Sequence, residues 1–265
     1  MRVYPILEEI FKTQIVTDKY GNTYKFESGI SPNKGEFLWS LIQNNDIENS
    51  IEIGCACGIS SLYICDALSQ KASPHHVIVD PYQSTYWQEI GVNNLDKAKF
   101  SFYELIEKPS EIALPSLLEE DQEFDFAFID GDHSFEHVFL DFFYLDHLLR
   151  IQGFIVFDDA DYAPVTKVIH YIINHYSNYK IIGAAQGDGK TGLKRQSLNI
   201  IKTGLGFLAK AIPEYQRREI VDDSILHTDP SLKSRASVIA LQKMAPTSLV
   251  SRWYEQKKEE SISKI

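Results

Sequence analysis

Two short segments concentrate carboxylates in a way that points to chemistry. The apolar run Phe124 to Ile129 ends in Asp130, Gly131, Asp132 and His133, and the run Gly153 to Phe157 ends in Asp158 and Asp159. Both runs have the length and apolar content of buried parallel strands. Neighbouring strand ends lie about 5 Å apart, so Asp130, Asp158 and Asp159 can converge on one point. Three acids gathered there repel one another unless a positive charge sits among them. Oxygen donors in this number suit Mg²⁺ or a similar hard divalent cation, which would hold a hydroxyl, lower its pKa and set it for in-line attack. Taken singly, Asp132 and Asp159 equally suit the capping of the turns that follow.

A second constellation lies upstream. Ser50 to Ile53 reads as a strand that runs into Gly54, Cys55, Ala56, Cys57 and Gly58 and then into a helix from Ser60. Glycines let the chain bend closely, and the free N–H groups at a helix start can face a ligand carboxylate or phosphate. The next strand ends in Asp80, where an acid at the carboxyl edge of a sheet can accept hydrogen bonds from both hydroxyls of a ribose. The competing role for Asp80 is a turn residue before Pro81. A dinucleotide-binding, nicotinamide-dependent reductase would use the same geometry, but its G-x-G-x-x-G fingerprint is not met. The spacing here is Gly54-x-Ala56-x-Gly58, with Ile59 next.

The segment Glu52 to Ser60 resembles motif I of the class I S-adenosylmethionine-dependent methyltransferases, in particular the metal-dependent O-methyltransferase branch that includes catechol O-methyltransferases. The stretch Val79 to Tyr82, with Trp87, Gly91, Asn93 and Asn94 and the run Asp130 to Glu136, is similar to a bacterial group near the macrolide sugar O-methyltransferases. The resemblance covers residues 30 to 173. It implies a Rossmann-like fold, S-adenosylmethionine as methyl donor, and an acceptor hydroxyl on a small molecule, a sugar or a natural-product scaffold. On the donor side it implies Glu52, Gly54, Gly58, Ser60, Asp80, Ser110 and Asp130, with Ser60 on the methionine carboxylate and Ser110 beside the adenine. Ser110 equally suits the N-cap of the helix that follows it. The same resemblance puts Asp130, Asp158 and Asp159 on metal-ligand positions, Asp159 replacing a frequent Asn. His133 stands where catechol O-methyltransferases carry a catalytic Lys, which makes it the candidate general base; otherwise it is a solvated loop residue.

Composition narrows the partners. The 265 residues carry 37 acidic and 26 basic side chains, a formal net charge of −11, which disfavours a chain that neutralises a nucleic-acid backbone. No stretch approaches the roughly 18 apolar residues of a membrane span, and the start mixes charged with apolar residues, so the expectation is a cytoplasmic protein. Cys55, Cys57 and Cys65 lack the partners of a zinc site and read as buried thiols. A homo-oligomer is compatible with all of this. A non-catalytic protein that keeps the fold as a binding or partner module is the reading from a different class.

Strand-length apolar runs alternate with helical spacing, the pattern of a doubly wound α/β sheet. Seven strands are expected: 50–53, 76–80, 100–105, 124–129, 153–158, 179–184 and 197–201. The crossover helices are expected at 60–69, 110–119, 135–149 and 164–176. The last two strands, joined by a short polar connection at 186–196, suggest an antiparallel hairpin. Gly187 to Thr191 resembles the end of a phosphate-binding loop but lacks its first glycine, and reads as the hairpin loop. Residues 1–45 form a helical preface that packs on the domain or covers the site as a lid, 46–204 the Rossmann-like domain, and 205–265 a helical extension.

Overall fold

The computed structural model describes residues 3–186 and 236–247. A preface of α1 (Tyr4–Thr13), the hairpin strands β1 (Ile15–Thr17) and β2 (Thr23–Lys25), and α2 (Pro32–Gln43) leads into the main domain. There β3 (Asn49–Ile53), α3 (Ile59–Leu68), β4 (His75–Val79), α4 (Ile90–Lys97), β5 (Tyr103–Ile106) and α5 (Ser110–Glu119) form the first half. The second half is β6 (Phe124–Ile129), α6 (Phe135–Leu148), β7 (Leu149–Phe157), α7 (Ala163–His175), β8 (Tyr179–Ala185) and β9 (Val238–Lys243).

The sheet has the order β5-β4-β3-β6-β7-β9-β8, with β9 antiparallel to both of its neighbours. It is the doubly wound, Rossmann-like sheet expected, with one strand placed elsewhere. The run 197–201 and the loop 187–191 lie outside the described residues, and the antiparallel strand is Val238–Lys243, inside the stretch expected to be a helical extension. The boundary drawn at 204 therefore cuts through the sheet. Strand partners far apart in sequence are chosen by pairing across the sheet, a signal that a local apolar pattern does not carry.

Alternation along the central strands builds two cores. Phe126 and Phe128 of β6 point into the layer with α2, α3 and α4, while Ala127 and Ile129 point into the layer with α5, α6 and α7. This two-sided burial explains why the strands read as nearly continuous apolar runs. Chain order reverses between β3 and β6, so the crevice at their carboxyl ends is the switch point where such folds take ligands.

Candidate functional site

Each central strand carries its ladder one residue past its end. Gly54 N donates to Val79 O, Asp80 N to Ile106 O, Asp130 N to Ile53 O and Asp158 N to Ile129 O. Four of the residues singled out in the sequence therefore stand side by side on one edge of the sheet.

At the switch point the glycine turn is packed against its neighbours. Gly54 has φ +87°, and a Cβ there would stand 2.3 Å from Asp130 O; Gly58 has φ +77°, and a Cβ there would meet Gly91 O at 2.7 Å. Only glycine suits both the left-handed backbone and the close approach. Asp80, buried, holds the turn from the other side: its Oδ2 accepts from Cys55 N at 3.0 Å, Ala56 N at 2.9 Å and Gln83 Nε2 at 3.0 Å, and its Oδ1 from Tyr82 N at 2.8 Å. Gln83, which the sequence did not single out, also donates to Ala56 O at 2.9 Å. No side chain caps the N-terminus of α3, and its first turn holds no acid, so Ser60 stands at an open positive helix end. Glu52 is fully buried beneath the turn, where it accepts from Ser61 Oγ in that first turn and lies 3.4 Å from His76 Nε2. It supports the helix that the turn introduces. Ser110 is the first residue of α5, with Pro109 as the cap position. It lies beside the buried Asp141 of α6, whose carboxyl is pushed up to about 6 chiefly by burial, with Ser110 opposing.

The acids after β6 and β7 do converge, but around a side chain from the preface. Lys34, in the first turn of α2, places Nζ 2.6 Å from Asp158 Oδ1 and 3.3 Å from Asp159 Oδ1. His133 Nε2 lies 3.5 Å from Asp130 Oδ1 and 3.4 Å from Asp159 Oδ2. Burial first, then the Asp158 charge, raises the Asp130 carboxyl to about 7, with His133 opposing. Asp158 is raised by burial, against the pull of Lys34. Burial works to discharge Lys34, yet the three carboxylates outweigh it and the ammonium titrates above its ordinary range. His133 is raised by its contact with Asp130. Asp132 turns away: its Oδ1 accepts from Ser134 N at 2.6 Å, and Ser134 caps α6.

The donor chemistry of these carboxylates suits a hard cation, but an ammonium already pairs with two of the three, Asp158 and Asp159. A divalent ion about 4 Å from that ammonium would meet a repulsion on the order of 8 kcal/mol at an effective dielectric of 20. With Lys34 in place, the residues do not fit a resident divalent ion. Among the described residues, no group of three or more His, Cys, Asp or Glu is arranged to hold a metal ion.

Next to His133 opens a cavity of about 780 Å³, lined also by Ser134, Phe135, Tyr162 and Lys167. Tyr162 meets the His133 ring edge-on at 6.2 Å between centroids. Sequence reasoning missed Lys34 and Tyr162: only tertiary packing brings Lys34 of α2 to the acids, while Tyr162, whose N donates to Asp159 O in the local turn, belongs to no motif that marks it.

A Rossmann-like sheet with a glycine turn and an acid cluster at its switch point defines the class. Within it, residues 51–160 match the family model described as "Methyltransferase domain". The chain is 31% identical over 164 residues to Tapetum-specific methyltransferase 1 of Arabidopsis thaliana, covering 60% of this chain and 65% of that protein. It is 32% identical over 105 residues to a catechol O-methyltransferase of Niastella koreensis, covering 39% of this chain and 46% of that protein. The chain thus spans less than two thirds of the length of these curated relatives. Among solved structures, the O-methyltransferase from Bacillus cereus in complex with SAH superposes with a TM-score of 0.55 at 18% identity, covering 70% of this chain and 84% of that one. That likeness shows a shared fold.

Proposed function

We propose that this protein transfers a methyl group from S-adenosylmethionine to a hydroxyl oxygen of a small molecule, with a sugar or another polar natural-product scaffold as the acceptor class. The observation that carries the reading is the adjacency of Gly54 and Asp130. It sets the donor turn and the acid–histidine cluster in backbone contact on one sheet edge, within the stretch that matches a methyltransferase domain.

In this reading the open N-terminus of α3, with Ser60, receives the carboxylate of the donor's methionine part. Asp80 Oδ1, which accepts from Tyr82 N, has a second lone pair for a ribose hydroxyl. Ser110 stands beside the adenine. The acceptor enters the cavity at His133, between Phe135 and Tyr162, with its hydroxyl at the His133 ring. His133 Nε2 faces the carboxylates, so Nδ1 is the nitrogen that takes the hydroxyl proton as the oxygen attacks the methyl carbon. Asp130 stabilises the imidazolium that results. The sulfur keeps the electron pair of the broken C–S bond and leaves as a neutral thioether. Holding donor and acceptor in line supplies much of the acceleration.

The test is to incubate the protein with methyl-labelled S-adenosylmethionine and a panel of hydroxylated small molecules. Label is expected on oxygen of at least one acceptor, with turnover by His133→Ala lower by about 10²-fold. Donor binding without transfer to any acceptor would instead support a binding module.

A further inference from the structure

The sequence led to the expectation of a divalent ion among Asp130, Asp158 and Asp159, and the structure puts an amino group there. We propose that Lys34 is the resident cation of this site, and that methyl transfer by this chain needs no divalent metal ion. The inference rests on the methyltransferase reading for the reaction, and on Lys34 alone for the metal.

Lys34 is not where an unconstrained lysine would go. It lies in the first turn of α2 (Pro32–Gln43), near the positive end of the helix dipole, where a cation is disfavoured. Its side chain is 10% exposed, against 5% for its partner Asp158, and burying an ammonium is costly unless it is paired. Two features offset this. The carboxylates of Asp158 and Asp159 take the charge directly. The next residue, Gly35, lets α2 press on α3: a Cβ there would stand 2.1 Å from the Tyr63 ring. Close packing of the two helices thus fixes the approach of Lys34 to the strand ends.

One ammonium supplies a counter-charge shared by Asp158 and Asp159, and it comes with the fold instead of from solution. Lys34 acts through Asp158 and Asp159, so it is a positioning residue. It holds the two carboxylates in place, while Asp130 is left to face His133. The reaction balances without a metal: the acceptor O–H loses its proton to His133, the oxygen forms the bond to the methyl carbon, and the C–S electron pair returns to sulfur.

The experiment is a Mn²⁺ titration followed by electron paramagnetic resonance on chelator-treated wild type, Lys34→Gln and Asp158→Asn. Wild type is expected to leave Mn²⁺ free at sub-millimolar concentrations, whereas Lys34→Gln binds one Mn²⁺ at least about tenfold more tightly than wild type. Label transfer to the acceptor panel is expected to be equal in chelator and in Mg²⁺. Micromolar binding of one Mn²⁺ by wild type that Asp158→Asn abolishes would overturn the inference, as would a folded Lys34→Gln with no gain. Should Lys34→Gln not fold, the comparison of wild type with Asp158→Asn decides alone. S-adenosylhomocysteine is titrated alongside: its failure to bind would strike the methyltransferase reading while leaving the Mn²⁺ comparison intact.

Discussion

The backbone of Gly54 lies against that of Asp130, so closely that a Cβ on Gly54 would stand 2.3 Å from the Asp130 carbonyl oxygen. One turn faces the proposed donor and the other carries the proposed chemistry, so the contact sets the distance between them. It also leaves no room for adjustment, because both sides of it are backbone.

Gly54→Ala is therefore expected to cost about 2 kcal/mol or more, from a strained positive φ together with overpacking. Urea unfolding would measure it. A variant as stable as wild type would show that the turn can move away from Asp130, and that the spacing of the two subsites is not fixed there.

The pairing of Lys34 with Asp158 predicts strong coupling. Removing one partner of a buried ion pair strands the other charge, so Lys34→Met and Asp158→Asn should each destabilise by about 3 kcal/mol. The double variant should lose clearly less than the sum, as contacting residues do. Additive losses in denaturant melts would mean that the two side chains do not meet in solution.

These two contacts mark what could be read in advance. The edges of β6 and α5 were legible because Phe124 to Ile129 is a buried run closed by an acid and a glycine, and Ser110 follows a proline. The gathering of Asp130, Asp158 and Asp159 followed from parallel strands ending together. Lys34 was not legible, since no local pattern distinguishes a lysine that turns inward from a solvated one. Helix α4 was hidden by the poor helix formers Gly91, Asn93 and Asn94. Gly91 instead serves the turn, where its backbone packs on Gly58. The strand Val238–Lys243 was missed because its partners, β7 and β8, lie far upstream.

Asp141 gives a pH prediction. Its folded-state carboxyl is pushed from an ordinary 3.8 to about 6, chiefly by burial. Folding thus favours the protonated form. That contribution is fully present below about pH 4, is lost as pH rises through 6, and is flat above. Asp141→Asn keeps the shape and polarity of the side chain beside Ser110 without the charge. It should match wild type near pH 4 and exceed it by roughly 1–3 kcal/mol at pH 8. A stability difference independent of pH would contradict the assignment.

The most direct measurement is calorimetric titration of S-adenosylhomocysteine, the demethylated donor, into wild type and Asp80→Ala. Asp80 braces the Cys55 and Ala56 amides of the glycine turn, so its loss both loosens the turn and removes the proposed ribose contact. Wild type is expected to bind one molecule, and Asp80→Ala to bind at least about tenfold more weakly, equivalent to 1.4 kcal/mol. No binding by a folded wild type, or equal binding by the two proteins, would contradict a donor site at this turn.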